Sequence, residues 1–158
     1  MGLVWRLTPA AYADRLDGRG NIQQGARWNS SGRGVVYASF NLSLAVLETL
    51  VQLPAVLRRS LPEMAAVRID IPDEAPHAEF DSTELPPDLA AEATARRCRE
   101  LGDAWLAAGE HLVFAVPSVI VPQESNLLIN PVHPLMAKVK IVSIERFRFD
   151  PRLASPLT

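Results

Sequence analysis

Apolar and polar positions change period several times along the 158 residues. "LVWRLT" (Leu3–Thr8) alternates, which predicts a strand. Residues 9 to 24 lose that alternation and read as a short helix or turn followed by a polar loop. "GVVYASF" (Gly34–Phe40) is rich in strand formers and is entered from the turn-like cluster "SSGRG". On a pleated strand Val35, Tyr37 and Ser39 share one face, and Val36, Ala38 and Phe40 share the other. The period then becomes helical. Asn41 suits an N-cap and "LSLAVLETLVQL" follows. Apolar residues lie on nearly all sides of that segment, which predicts a buried helix, ended or kinked by Pro54.

"AAVRIDI" (Ala65–Ile71) reads as a strand. Pro72 to Pro87 is acidic, carries four prolines and reads as a loop. Residues 88 to 109 have helical spacing, with a break expected near Gly102. "HLVFAVPSVIVP" (His111–Pro122) reads as a buried strand interrupted at Pro117. "NLLIN" (Asn126–Asn130) and "KIVSIERFRFD" (Lys140–Asp150) are further strands. There is no internal repeat and no regular strand–helix alternation, which predicts an α+β fold with a mixed or largely antiparallel sheet.

Composition narrows the class. The length suits a single domain over 1–158, and 48% apolar residues are enough to build a core. Sixteen basic against eighteen acidic residues give a net charge of −2, unlike a general binder of nucleic acid or membrane surfaces. One cysteine, Cys98, allows no internal disulfide and fits a reducing compartment. "MGLVWRLTPA" is not a signal peptide, and no apolar run is long enough to span a bilayer. The expectation is a cytoplasmic protein.

Within this frame a few side chains could carry chemistry. Glu48 falls in the middle of an apolar helix, where an ionised carboxylate is costly unless paired. It is a functional acid, a structural salt-bridge partner of some arginine, or a residue on an exposed edge of the helix. Arg27, in the loop before Tyr37, has a donor fork suited to phosphate or carboxylate, although a loop arginine is commonly just solvated. Trp28 is a core anchor or a stacking platform. "GRG" at 32–34 precedes a strand and is no phosphate loop. Ser118 interrupts an apolar run, with Glu124, Asn126, Asn130 and His133 nearby, but no G-x-S-x-G elbow is present. His77, His111 and His133 fit no metal spacing, so no metal is expected. Cys98 reads as a packed thiol, and Arg96, Arg97 and Arg99 as a solvated helix face or a contact for an acidic partner.

The ordered segments "GARWNSSGRGVVYAS", "LAVLETLV", "LGDAWL", "VPSVIVPQESNLLINPVHP" and "FDPRL" resemble the RES-domain family, toxins of bacterial type II toxin–antitoxin pairs. The resemblance runs from Trp5–Arg6 to Leu153. It implies an ADP-ribosyltransferase-like fold, a split and mostly antiparallel sheet with packed helices, and NAD as substrate in a cleft. It places the family's arginine, tyrosine, glutamate and serine on Arg27, Tyr37, Glu48 and Ser118 as catalytic residues. Arg27, Trp28, Tyr37, Ser118 and Asn126 are then the expected NAD-binding residues, with Glu124 and Asn126 supporting the site. The implied reaction breaks the nicotinamide–ribose bond of NAD, depleting NAD and arresting growth. The acceptor stays open among water, inorganic phosphate and a target protein. The implied partner is a helix-turn-helix antitoxin, through which alone the chain would meet DNA. The alternatives are an ADP-ribosyltransferase modifying a specific cellular protein and a non-catalytic binding domain on the same fold.

Overall fold

Strand-forming runs recur along the chain, and in the computed structural model, which describes residues 1–155, they join into one sheet. The strands are β1 (Gly2–Thr8), β2 (Val36–Ser39), β3 (Met64–Ile71), β4 (His77–Glu79), β5 (Val113–Pro117), β6 (Ser125–Ile129) and β7 (Lys140–Phe147). The helices are α1 (Leu42–Gln52), α2 (Ala55–Arg59) and α3 (Glu92–Ala108). The last three residues of the expected 1–158 domain lie outside the described residues.

The sheet order is β4-β5-β6-β2-β1-β3-β7. Every neighbouring pair is antiparallel except β4 with β5. The α+β expectation holds. The joint between the two halves of the sheet is thin. β1 pairs with β3 from Gly2↔Ile71 to Thr8↔Ala65, but meets β2 only at Trp5↔Ser39. Backbone groups of β1 and β2 diverge beyond that point, and a cleft opens there.

The alternation read in β2 sorts its side chains as expected. Val36 and Ala38 join a core cluster with Val4, Val67, Leu127 and Ile129. Val35 and Tyr37 face the other way and pack in the cluster of Trp28, Cys98, Trp105 and Leu128, which seats α3. Phe40 lies past the strand end and is 42% exposed, because the chain is already turning into α1. A third cluster seats α1 through Ala45, Leu42, Val46 and Leu50 against Leu7, Met64 and Ala66.

Several expectations need correction. Helix α1 is not buried all round. Leu44 and Ala45 are buried, while Leu47 and Val51 are 38% and 46% exposed, since α1 covers the sheet with one face only. Burial of Leu44 alone contributes about 2 kcal/mol. α3 runs unbroken through Gly102, where a Cβ would collide with the Trp28 carbonyl; the glycine permits contact rather than a break. The strand begun near His111 stops at Pro117, and the chain bends through 119–121 into a turn closed by the Glu124 N–H on the Val121 carbonyl at 2.9 Å, because Pro117 has no N–H with which to extend the ladder. The last strand ends at Phe147 rather than Asp150. The acidic 72–87 segment is not all loop. His77–Glu79 adds β4 at the sheet edge, and its three-residue length hides it from periodicity. A Pro54-started helix, α2, follows α1, and Arg58 donates from Nε to Leu53 O and from Nη2 to Val51 O, both at 2.8 Å, closing the end of α1.

Candidate functional site

The cleft at the β1–β2 split has a volume of about 420 Å³. Small-molecule sites typically enclose roughly 300–1,000 Å³. Its walls come from β1, the 25–28 loop, β2 and α1. Ala45, Glu48, Thr49 and Gln52 all line it, which helical spacing allows for one face. Two groups hold that face in place. The Asn41 side chain accepts from the Leu44 N–H at 2.8 Å, capping α1, and donates to Glu124 Oε2 at 3.0 Å. This ties the start of α1 to the 118–124 turn, where the Ser118 N–H donates to the Glu124 carbonyl at 2.9 Å.

Glu48 is half-buried and makes no ion pair with an arginine among the described residues. Its partners are neutral. Ser118 Oγ donates to Glu48 Oε1 at 2.8 Å, and Asn126 Nδ2 donates to the same oxygen at 2.6 Å. Oε2 makes no hydrogen bond within the described residues. Two donors on one oxygen set the carboxylate's rotation and leave the other oxygen for the cleft. Ser118 is fully buried, and its Oγ also accepts from the Ile120 and Val121 N–H groups at 3.1 and 3.0 Å. A hydroxyl has one donor and two acceptor positions, and all three are used. Ser118 therefore meets Glu48 rather than the open cleft.

The Arg27 loop is equally constrained. Gly25 adopts φ +71° and approaches the Asn29 carbonyl too closely for a Cβ, and the Ala26 N–H donates to that carbonyl at 2.9 Å. Asn29 is fully buried, with Nδ2 donating to Arg33 O at 2.7 Å and to Asn21 Oδ1 at 3.3 Å. Tyr37 donates its hydroxyl to Asn29 Oδ1 at 2.6 Å and accepts from the Trp28 N–H at 3.1 Å. Asn21 brackets Val35, accepting from its N–H at 3.0 Å and donating to its carbonyl at 2.7 Å. Asp103 on α3 accepts from the Ser30 N–H at 2.9 Å and from the Ser30 hydroxyl. Loop, strand and helix are thus one hydrogen-bonded unit.

Arg27 is half-buried, lines the cleft, and donates from Nη1 to the Leu89 carbonyl at 3.2 Å. Trp28 is 3% exposed and packs edge-on to Phe80 and Phe114, so the core-anchor reading describes most of its surface. Burial pushes the Tyr37 phenol well above its ordinary range, so it remains a neutral donor. Burial also raises the Cys98 thiol, while the nearby Arg27 guanidinium pulls the other way. Cys98 is a buried thiol in the α3 cluster, as packing alone predicts.

The structure brings Arg27, Trp28, Tyr37, Glu48 and Asn126 to one cleft, with Ser118 directly behind Glu48. His133 instead caps the 134–138 turn through Nδ1, and Asn130 accepts from Val132. Arg97 pairs with Glu84 and Glu100, and Arg99 with Glu92, on the surface. Among the described residues no group of His, Cys, Asp and Glu could hold a metal ion, and no helix is long and apolar enough to cross a membrane.

Sequence reasoning missed Arg6. It lines the cleft from β1, and Nη1 donates to Arg15 O at 2.6 Å and more weakly to Tyr12 O at 3.4 Å. Burial lowers its pKa, opposed by Asp17. A charged residue inside an alternating apolar strand was the available signal. Asn21 and Ser39 were also missed, since small polar residues near turns and strand ends are common.

The RES domain family matches residues 3–150. The chain is 38% identical to "Prs ADP-ribosylating toxin" of Sphingobium sp. (strain YBL2) over 157 residues, covering 94% of each chain. It is 36% identical to "Toxin Res" of Pseudomonas putida (strain KT2440), covering 96% of this chain and 99% of that protein. A solved structure of similar fold is a chain of the M. tuberculosis MbcT–MbcA toxin–antitoxin complex, with TM-score 0.75 and 18% identity over 97% of this chain and 86% of that one. Family, full-length relatives and fold agree, and the chain belongs to the RES domain family.

Proposed function

We propose that this protein is the toxin of a bacterial toxin–antitoxin pair and that it cleaves the nicotinamide–ribose bond of NAD, with water or phosphate as acceptor. The observation that carries the reading is Glu48, anchored through Oε1 with Oε2 available to a cleft that also receives Arg6 and Arg27. The bond between ribose C1′ and the pyridinium nitrogen breaks with its electron pair moving to nitrogen, so nicotinamide leaves neutral. Positive charge develops on the ribose, as in glycoside cleavage. A fixed carboxylate oxygen stabilises that charge without reorganising. Water or phosphate then adds at C1′ and gives up its proton. Arg6 and Arg27 supply the cations for the diphosphate, and the Tyr37 ring walls the nicotinamide end. Ser118 acts through Glu48, and Asn126 shares that work.

A second reading is transfer of ADP-ribose to a protein, favoured by the name of the Sphingobium relative. The antitoxin partner we propose is a helix-turn-helix protein, through which alone the toxin meets DNA. The test is incubation of the purified protein with NAD, with and without phosphate, following free nicotinamide and identifying the ribose product by mass. Nicotinamide with ADP-ribose or its phosphate ester is expected. NAD bound with no nicotinamide released would overturn the reading in favour of a non-catalytic domain. Release only when a protein acceptor is added would favour the second reading.

A further inference from the structure

Glu48 is aimed by Asn126, and the far end of the Asn126 amide is held by a residue so far without a role. The β2–β6 register sets Ser39 directly opposite Asn126, and β1 sets Trp5 on the other side of Ser39. Ser39 is 3% exposed, and its hydroxyl donates to Asn126 Oδ1 at 2.6 Å. An amide has a donor end and an acceptor end. A serine hydroxyl can donate or accept, so the Glu48 carboxylate sets the sense of the amide, with Nδ2 toward Oε1 at 2.6 Å, while Ser39 pins the Oδ1 end and keeps the side chain in place. Reversal of the amide would set Oδ1 against a carboxylate oxygen, two acceptors without a proton between them.

We infer that Ser39 is a positioning residue for Glu48: it fixes the Asn126 amide, which, with Ser118, fixes which carboxylate oxygen faces the cleft. The relay runs from Ser39 through Asn126 to Glu48, and Ser118 meets it from the turn after β5. The same register row that closes the two halves of the sheet at Trp5↔Ser39 therefore orients the carboxylate at the cleft floor. Other ionisable groups lining the cleft are Arg6 on β1, Arg27 in its loop, Tyr37 on β2 and Tyr12; Glu124, in the turn before β6, accepts from Asn41 at the start of α1. None of them donates to Glu48, and among the described residues its carboxylate is held by Asn126 and Ser118.

The inference rests on the proposed NAD cleavage for its kinetic readout, and on an amide spectrum for a readout independent of it. Ser39→Ala and Ser39→Thr are the variants; threonine keeps the hydroxyl and suits a strand. In Ser39→Ala, kcat for nicotinamide release falls about tenfold with KM for NAD within about twofold, because orientation rather than binding is lost. Ser39→Thr recovers most of kcat. In nitrogen–proton spectra of the free protein, the Asn126 side-chain amide, assigned by its loss in Asn126→Ser, shifts in Ser39→Ala and returns in Ser39→Thr. An unchanged amide in Ser39→Ala, or equal loss in both variants, would overturn the relay. A wild-type protein that releases no nicotinamide would sink the proposed reaction, while the amide spectrum would still decide the relay.

Discussion

Ser118 donates its hydroxyl to Glu48 Oε1 at 2.8 Å although the two residues are 70 positions apart. The same Oγ accepts two backbone N–H groups of its own turn. Ser118→Ala thus removes one bond to Glu48 and leaves two part-buried N–H donors without their partner, each at a cost below the roughly 1–3 kcal/mol of a fully buried unpaired group. We expect a loss of stability of about 2 kcal/mol in chemical denaturation, together with a lower kcat for nicotinamide release. Full activity in a Ser118→Ala protein would show that Glu48 does not depend on this bond.

Glu48→Gln separates charge from shape. A glutamine Oε1 can still accept from Ser118 and Asn126, so the site geometry survives while the negative charge is lost. Nicotinamide release should fall by about 10²–10³-fold, the usual cost of losing one preorganised electrostatic contact. Thermal melting should stay within a few degrees of wild type. Unimpaired turnover would remove Glu48 from the chemistry.

Arg6 and Arg27 line one cleft from different elements. If both meet the diphosphate, Arg6→Lys and Arg27→Lys each raise KM for NAD by about tenfold, since a lysine lacks the planar fork. Titration of NAD binding by calorimetry gives the same answer without turnover. Unchanged affinity in Arg6→Lys would confine its role to the carbonyls of Tyr12 and Arg15.

Gly102→Ala tests how tightly α3 holds the arginine loop. Helix propensity alone favours alanine by about 1 kcal/mol. A Cβ at this position would collide with the Trp28 carbonyl, and overpacking typically costs about 1–3 kcal/mol. The clash wins, so the variant should unfold at lower denaturant with an unchanged m-value. A stabilised variant would show that α3 can move away from the loop.

The Tyr37 phenol is raised by burial above its ordinary value near 10. The unfolded chain releases that proton at ordinary tyrosine pH, while the folded chain keeps it. Stability is therefore unaffected by Tyr37 below pH about 10 and falls as pH rises above it. In a Tyr12→Phe background, ultraviolet titration should show no phenolate from folded protein at pH about 10, and phenolate should appear together with unfolding. A reversible, ordinary titration in the folded state would contradict the bonds to Asn29 and Trp28.

Much of this protein is determined locally. Alternation alone sorted Val36 and Ala38 from Val35 and Tyr37, and Asn41 announced the cap of α1. These depend on strand pleat and on a donor three residues away, both readable from neighbours in sequence. The apparent all-round apolarity of α1 misled, because Leu47 and Val51 sit on the solvent side and only packing decides which face is covered. Likewise β4 exists because β5 offers it an edge, not because three residues show a period. Sequence singled out Glu48 as an acid needing partners, and suspected Arg27; the resemblance to a family joined them to Tyr37 and Ser118. Tertiary structure alone chose the partners. Ser118, Asn126 and Ser39 reach Glu48 or one another across 70, 78 and 87 positions through strand register and a buried turn. Hydrogen bonds of that kind depend on which strands lie side by side, and strand order is settled by packing of the whole sheet rather than by any residue's neighbours along the chain.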